Sequence, residues 1–150
     1  DADRIVLMGQ SAGAVHVAGY VAGQHGRADA PKLAAAILLS GLYDLTTLEH
    51  SDYERAYFGD DAARFAGQST LAGLLEGPVP MLFSVAEYDP DNFQAQAAQL
   101  VSAHVARHGH WPRVLYLRGQ NHVSGLYQLG LPSDPLGPAL ADFIDQFTGR

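Results

Sequence analysis

Ile5-Val6-Leu7-Met8-Gly9-Gln10-Ser11-Ala12-Gly13 is the stretch on which the fold turns: an apolar run, a serine between two glycines, then small helix-compatible residues. An apolar run that ends in such a turn and resumes as a helix reads as a strand-turn-helix unit whose tight backbone lifts the serine hydroxyl above a sheet. The glycines two residues to either side, Gly9 and Gly13, are expected to keep neighbouring segments from colliding. This is the pattern of a nucleophile elbow, with Ser11 as the attacking group and the Ala12 N–H as one donor to a developing oxyanion. A serine ahead of a helix also serves as an ordinary N-cap, so the motif needs partners elsewhere in the chain.

Outward from the elbow, apolar runs at 5–8, 35–40, 80–85 and 113–117 read as strands that are apolar on both faces, as parallel strands between layers of helices are. Residues 12–22 are small or β-branched nearly all round, which suits a helix pressed onto a sheet. Phe93, Ala97, Leu100, Val101 and Val105 share one helical face, and Leu136, Leu140, Phe143, Ile144 and Phe147 repeat nearly that spacing. The alternation predicts an α/β fold, a parallel sheet flanked by helices, in one partial domain over 1–150. Residues 42–77 break the rhythm with clustered tyrosines and acids and read as a small, cap-like helical insertion.

If the strands lie in chain order, right-handed crossovers put every connecting helix on one face and leave the other to the C-terminal helix alone. One helix does not cover a sheet apolar on both sides, and the strand at 5–8 would lack an outer neighbour. The chain is therefore expected to be the C-terminal half of a longer sheet, completed by preceding sequence or a separate chain. A shuffled order that centres the first strand is the alternative.

Composition narrows the partners. The chain of 150 residues is 47% hydrophobic and 17% charged, which is the profile of a domain with a sizeable core. Its net charge of -7, with no basic stripe, argues against nucleic acid. No apolar run approaches the ~20 residues that span a bilayer. Cysteine is absent, which removes disulfides and thiolate chemistry and leaves the compartment open.

A serine nucleophile needs a base, and the base needs a carboxylate to orient it. Ala86-Glu87-Tyr88-Asp89-Pro90 follows the third strand, and Arg118-Gly119-Gln120-Asn121-His122 follows the fourth. Ligands of open α/β sheets sit beyond the carboxyl ends of the strands, so Ser11, Asp89 and His122 should meet in one crevice. Each has a duller reading: Ser11 and Asp89 as helix caps, and His122 as a surface side chain. Glu87 competes with Asp89 for the acid position. Tyr43, Tyr53, Tyr57 and Phe58 are candidates for lining a substrate pocket, with plain packing as the alternative. His104, His108 and His110 have metal-like spacing but sit where a helix ends, so no metal is expected. His16, His25 and His50 show no partner pattern. A nucleotide-binding glycine motif fails because Ser11 stands where its central glycine is needed.

Gly9-Gln10-Ser11-Ala12-Gly13, Phe58-Gly59-Asp60-Asp61, Ala86-Glu87-Tyr88-Asp89-Pro90 and Asn121-His122 together resemble the C-terminal half of an α/β-hydrolase-family esterase, near the hormone-sensitive-lipase and carboxylesterase-like groups. The resemblance implies the C-terminal part of an α/β-hydrolase fold and hydrolysis of carboxylic esters through an acyl-serine, and a pocket lined by the aromatic residues above would suit a small, mostly apolar ester. It also implies no cofactor and, often, a homodimer. Carried over by position, Ser11 is the nucleophile, Asp89 the acid and His122 the base. The family's second oxyanion donor comes from a His-Gly-Gly-type loop earlier in the chain, and these 150 residues contain no such loop. An amidase or arylformamidase with the same triad, and a non-catalytic binding module on the same fold, are the rival readings.

Overall fold

The computed structural model describes residues 4–24 and 32–149, so His25 lies outside the described residues. Four parallel strands form one sheet in the order β1-β2-β3-β4, with β1 Ile5–Gln10, β2 Leu33–Leu39, β3 Met81–Tyr88 and β4 Arg113–Asn121. The order follows the chain, so β1 is an edge strand and the shuffled alternative does not hold.

Side chains alternate across a strand, and β2 shows the consequence. Ala36 and Leu38 enter one core with Ala14, Val17 and Ala18 of α1 (Ala12–Val21), Leu74 of α4 (Leu71–Glu76) and Leu100 of α5 (Asp91–His108). Ala35, Ile37 and Leu39 face the other core with Leu136, and with Leu140 and Phe143 of α7 (Gly137–Thr148), which follows the short α6 (Ser124–Tyr127). The small residues of α1 let its backbone lie close on β2, where Ala14 and Ala18 are wholly buried.

The second core is covered mainly by α7, with Leu136 and Leu126 beside it, and takes in Leu82 and Ala86 of β3 and Leu117 of β4. Its cover of β1 is incomplete. Met8 of β1 is 46% exposed, and on the opposite face Tyr116 of β4 is 57% exposed. The expectation of strands buried on both faces therefore holds for β2 and fails for the edge strand β4, where Tyr116 and Arg118 are exposed on one side and Arg113, on the other, lies over the Phe143 and Phe147 rings of α7.

Between β2 and β3 the chain makes short helices, α2 (Asp52–Phe58), α3 (Phe65–Gln68) and α4, with 3-10 turns at Leu45–Thr47 and Ala62–Arg64. Leu45, Phe58 and Phe65 form a small core of their own, against Val15 of α1. Gln96 of α5 ties this segment down. Its Oε1 accepts the N–H groups of Tyr43 (2.8 Å) and Asp44 (2.7 Å), and its Nε2 donates to the Asp44 carbonyl and to Thr47 Oγ1.

Candidate active site

Each strand ends one residue short of a polar side chain: Ser11 after β1, Ser40 after β2, Asp89 after β3 and His122 after β4. Parallel register aligns the ends of β1 and β2, Gln10 with Leu39, and of β3 and β4, Tyr88 with Asn121, while β3 runs on past its Ser84–Leu39 pairing before turning back at Asp89, whose N–H bonds the Ala86 carbonyl. The sheet thereby delivers all four to one rim.

Ser11 has φ 55, a left-handed conformation that non-glycine residues rarely adopt. Its N–H bonds the Leu39 carbonyl at 2.9 Å, which anchors the turn to β2. Ser11 holds the N-cap position of α1, yet its side chain makes no capping bond. The hydroxyl instead meets His122 Nε2 at 2.8 Å. On the far side of the ring, Nδ1 stands 2.6 Å from Asp89 Oδ1. With its proton on Nδ1, the tautomer the carboxylate favours, the imidazole donates to Asp89 and accepts from Ser11.

Asp89 is 4% exposed and does not cap the following helix, whose N-cap is Pro90. Its Oδ2 accepts the Ala86 N–H at 2.7 Å and the Ser40 hydroxyl at 2.7 Å. Burial pushes its pKa up, but hydrogen bonds from His122, the Ala86 N–H and Ser40, together with the charge of His122, outweigh burial. The carboxyl titrates below its usual range.

The loop carrying His122 is itself held. Gln10 Nε2 donates to the His122 carbonyl at 2.7 Å, and Asn121 Oδ1 accepts the N–H groups of Val123 and Ser124. The Phe93 ring tilts onto the imidazole with centres 4.3 Å apart. The Ala12 N–H has no hydrogen-bond partner among the described residues and sits beside Ser11 at the start of α1.

Glu87 lies elsewhere. Its carboxylate accepts the Gly119 N–H at 2.6 Å and braces the bend in β4. Tyr43 is corrected as well: it is 2% exposed and packs edge-on against Phe83, so it belongs to the core and not to a substrate pocket. Burial pushes its hydroxyl above the usual pKa, against the Gly41 backbone and helped by the Asp89 charge. Tyr53, Tyr57 and Phe58 do line a pocket of about 90 Å³ at Ser11, with Ala12, Val15, Leu42, Glu54 and Phe93. A wider cleft of about 500 Å³ adjoins it, walled by residues 49–51, 53–54 and 90–93.

Of the other histidines, His16 faces the Tyr57 hydroxyl at 3.1 Å, and His50 stacks on Phe65. His104, His108 and His110 crowd together, each with one ring nitrogen against a backbone carbonyl. Among the described residues no group of His, Asp or Glu is arranged to hold a metal, and no helix is long and apolar enough to cross a membrane.

Sequence reasoning did not single out Ser40 or Phe93, and it passed over Gln10 although that residue lies within the elbow itself. The polar residue closing β2 carried one usable signal, since β2 was the only strand end left without a site residue.

The sheet and its helices form part of an α/β-hydrolase fold. Among solved structures, an acylaminoacyl peptidase from Pyrococcus horikoshii matches with TM-score 0.72 and 16% identity, over 98% of this chain and 24% of its own. An esterase/lipase from an uncultured bacterium matches with TM-score 0.69 and 18% identity, over 100% of this chain and 55% of its own. Thermogutta terrifontis esterase 2 matches with TM-score 0.64 and 19% identity, over 97% and 55% respectively. The chain thus spans about half the length of these esterases and a quarter of the peptidase. No protein-family model and no curated protein sequence matches it.

Proposed function

We propose that this chain carries the nucleophile, base and acid of a serine hydrolase acting on small, mostly apolar carboxylic esters. The observation that carries the proposal is the hydrogen-bonded run from Ser11 through His122 to Asp89, in which neither Ser11 nor Asp89 is spent on capping a helix.

In the reaction, Ser11 Oγ bonds to the ester carbonyl carbon as its proton passes to His122 Nε2, and the carbonyl oxygen takes the negative charge toward the Ala12 N–H. The alcohol then leaves with the proton held on His122. Water repeats the sequence on the acyl-serine, with His122 again accepting and returning the proton, and frees the acid and Ser11. Asp89 stays ionised throughout and holds the imidazolium in place.

The pocket at Ser11 is small, about 90 Å³, beside a cleft of about 500 Å³. That favours a short acyl chain there, with the alcohol portion over the adjoining cleft. The fold likeness to an acylaminoacyl peptidase keeps amides as the second substrate class.

The test is covalent. Treating the full-length protein with a fluorophosphonate should place a single adduct on Ser11, located by peptide mass spectrometry. An adduct elsewhere, or none, overturns the proposal. Rates on an aryl acetate and on an N-formyl aromatic amine then separate ester from amide preference.

A further inference from the structure

Among the described residues, Ser11 and Ser40 are the two non-glycine residues with left-handed backbone, at φ 55 and 47. For Ser11 the strain presents a hydroxyl to His122. Ser40 carries the same strain one strand over, is 5% exposed, and touches neither Ser11 nor the imidazole by any hydrogen bond in the structure. A non-glycine residue in this region persists only where something else compensates for its cost. A glycine would take this conformation without strain, and one stands next door at Gly41.

What serine offers and glycine lacks is the hydroxyl. It donates to Asp89 Oδ2 at 2.7 Å, while the Ala86 N–H takes the same oxygen and His122 takes Oδ1. The two oxygens of the carboxylate therefore have separate duties. The pair of donors on Oδ2 fixes the rotation of the carboxylate plane and leaves Oδ1 facing the ring. With the Ser40 donor removed, the Ala86 N–H alone holds Oδ2, and the orientation of the carboxylate plane is set by that bond and the ring it is meant to position.

Resting on the hydrolase reading above, we infer that Ser40 is a positioning residue that locks the Asp89 carboxylate so that Oδ1 holds His122 in line with Ser11. In this arrangement every strand of the sheet contributes one member: nucleophile, positioner, acid and base, in chain order.

The experiment compares Ser40→Ala and Ser40→Gly in the full-length protein. Both remove the hydroxyl, and Ser40→Gly keeps the left-handed turn without strain, so it also stands in if the alanine variant fails to fold. Turnover of an aryl acetate should fall about 10- to 100-fold in both, the scale expected of a misplaced catalytic group, with KM little changed. The downfield proton resonance of the His122 Nδ1–H should broaden or move upfield in both. If Ser40→Gly keeps wild-type turnover and an unaltered resonance, Ser40 is only a turn residue and the inference falls. If the wild type shows neither that resonance nor a Ser11 adduct, the hydrolase reading falls and takes this one with it.

Discussion

Gly9 and Gly13 flank the same serine symmetrically, yet they do different work. A Cβ on Gly9 would strike the Gly13 carbonyl and the Ala14 nitrogen, whereas a Cβ on Gly13 meets nothing within 4 Å among the described residues. The expectation that both glycines prevent a collision is met by one of them. Gly9→Ala should destabilise the protein by about 3 kcal/mol, because the obstacle is helix backbone that has little room to shift. Gly13→Ala should be neutral or stabilising by up to about 1 kcal/mol, as glycine-to-alanine changes in unobstructed helix are. Urea denaturation midpoints of the two variants check the asymmetry. The same scale shows where sequence reading stopped. Ser11, Asp89 and His122 were legible because each belongs to a motif at a strand end. Ser40 and Gln10 have small roles in composition and large ones in geometry, and nothing in an isolated serine or glutamine announces which oxygen or carbonyl it will reach. Tyr43 was misassigned for the opposite reason, since an aromatic residue after a strand looks alike whether it turns inward or outward.

At the scale of elements, the segment between β2 and β3 contributes the wall of the pocket, and Asn92, Gln96 and Gln99 of α5 all bond to it, Gln96 most extensively. Gln96 is 2% exposed, and both ends of its amide are bonded to the segment. Gln96→Ala should cost about 3 kcal/mol, because it leaves the buried N–H of Tyr43 and the partly buried N–H of Asp44 without acceptors. Amide exchange at Tyr43 and Asp44 should quicken well beyond that of β2, and an unchanged pattern would show that the segment is held otherwise. The strands themselves were legible as apolar runs, but their ends were not. β3 continues through Glu87 and Tyr88, and β4 through Arg118 to Asn121, residues whose polarity hides their place in the sheet. β4 can afford them because it lies at an edge, which periodicity alone does not reveal.

For the whole molecule, the lowered pKa of Asp89 has a signed consequence for folding. The unfolded chain protonates this carboxyl near pH 3.9, whereas the folded protein does so at lower pH. Between the two values the unfolded state binds more protons, so stability rises with pH there. The contribution is fully present above about pH 4 to 5 and is lost as pH falls through the folded value. Asp44 and Asp134, also lowered, act in the same direction: hydrogen bonds from Thr46, Gln99 and Ser69 outweigh burial at Asp44, and backbone N–H groups hold Asp134 down. Thermal midpoints should therefore be nearly flat above pH 5 and fall steeply below pH 4, with a shallower acid limb in Asp89→Asn. A midpoint independent of pH down to 3 would contradict this account.

The sheet has two outermost strands, and the backbone N–H and C=O groups along the outer side of each point outward with no strand beside them among the described residues. Such rows are templates onto which further extended chain can grow. At β1 the rim also ends in the serine turn, so whatever strand settles there fixes the surroundings of the attacking oxygen as well as capping the ladder. Solubility and reactivity are thus joined at one border of the molecule: a foreign strand lodged at β1 would both seed clumping and put the wrong neighbour beside Ser11.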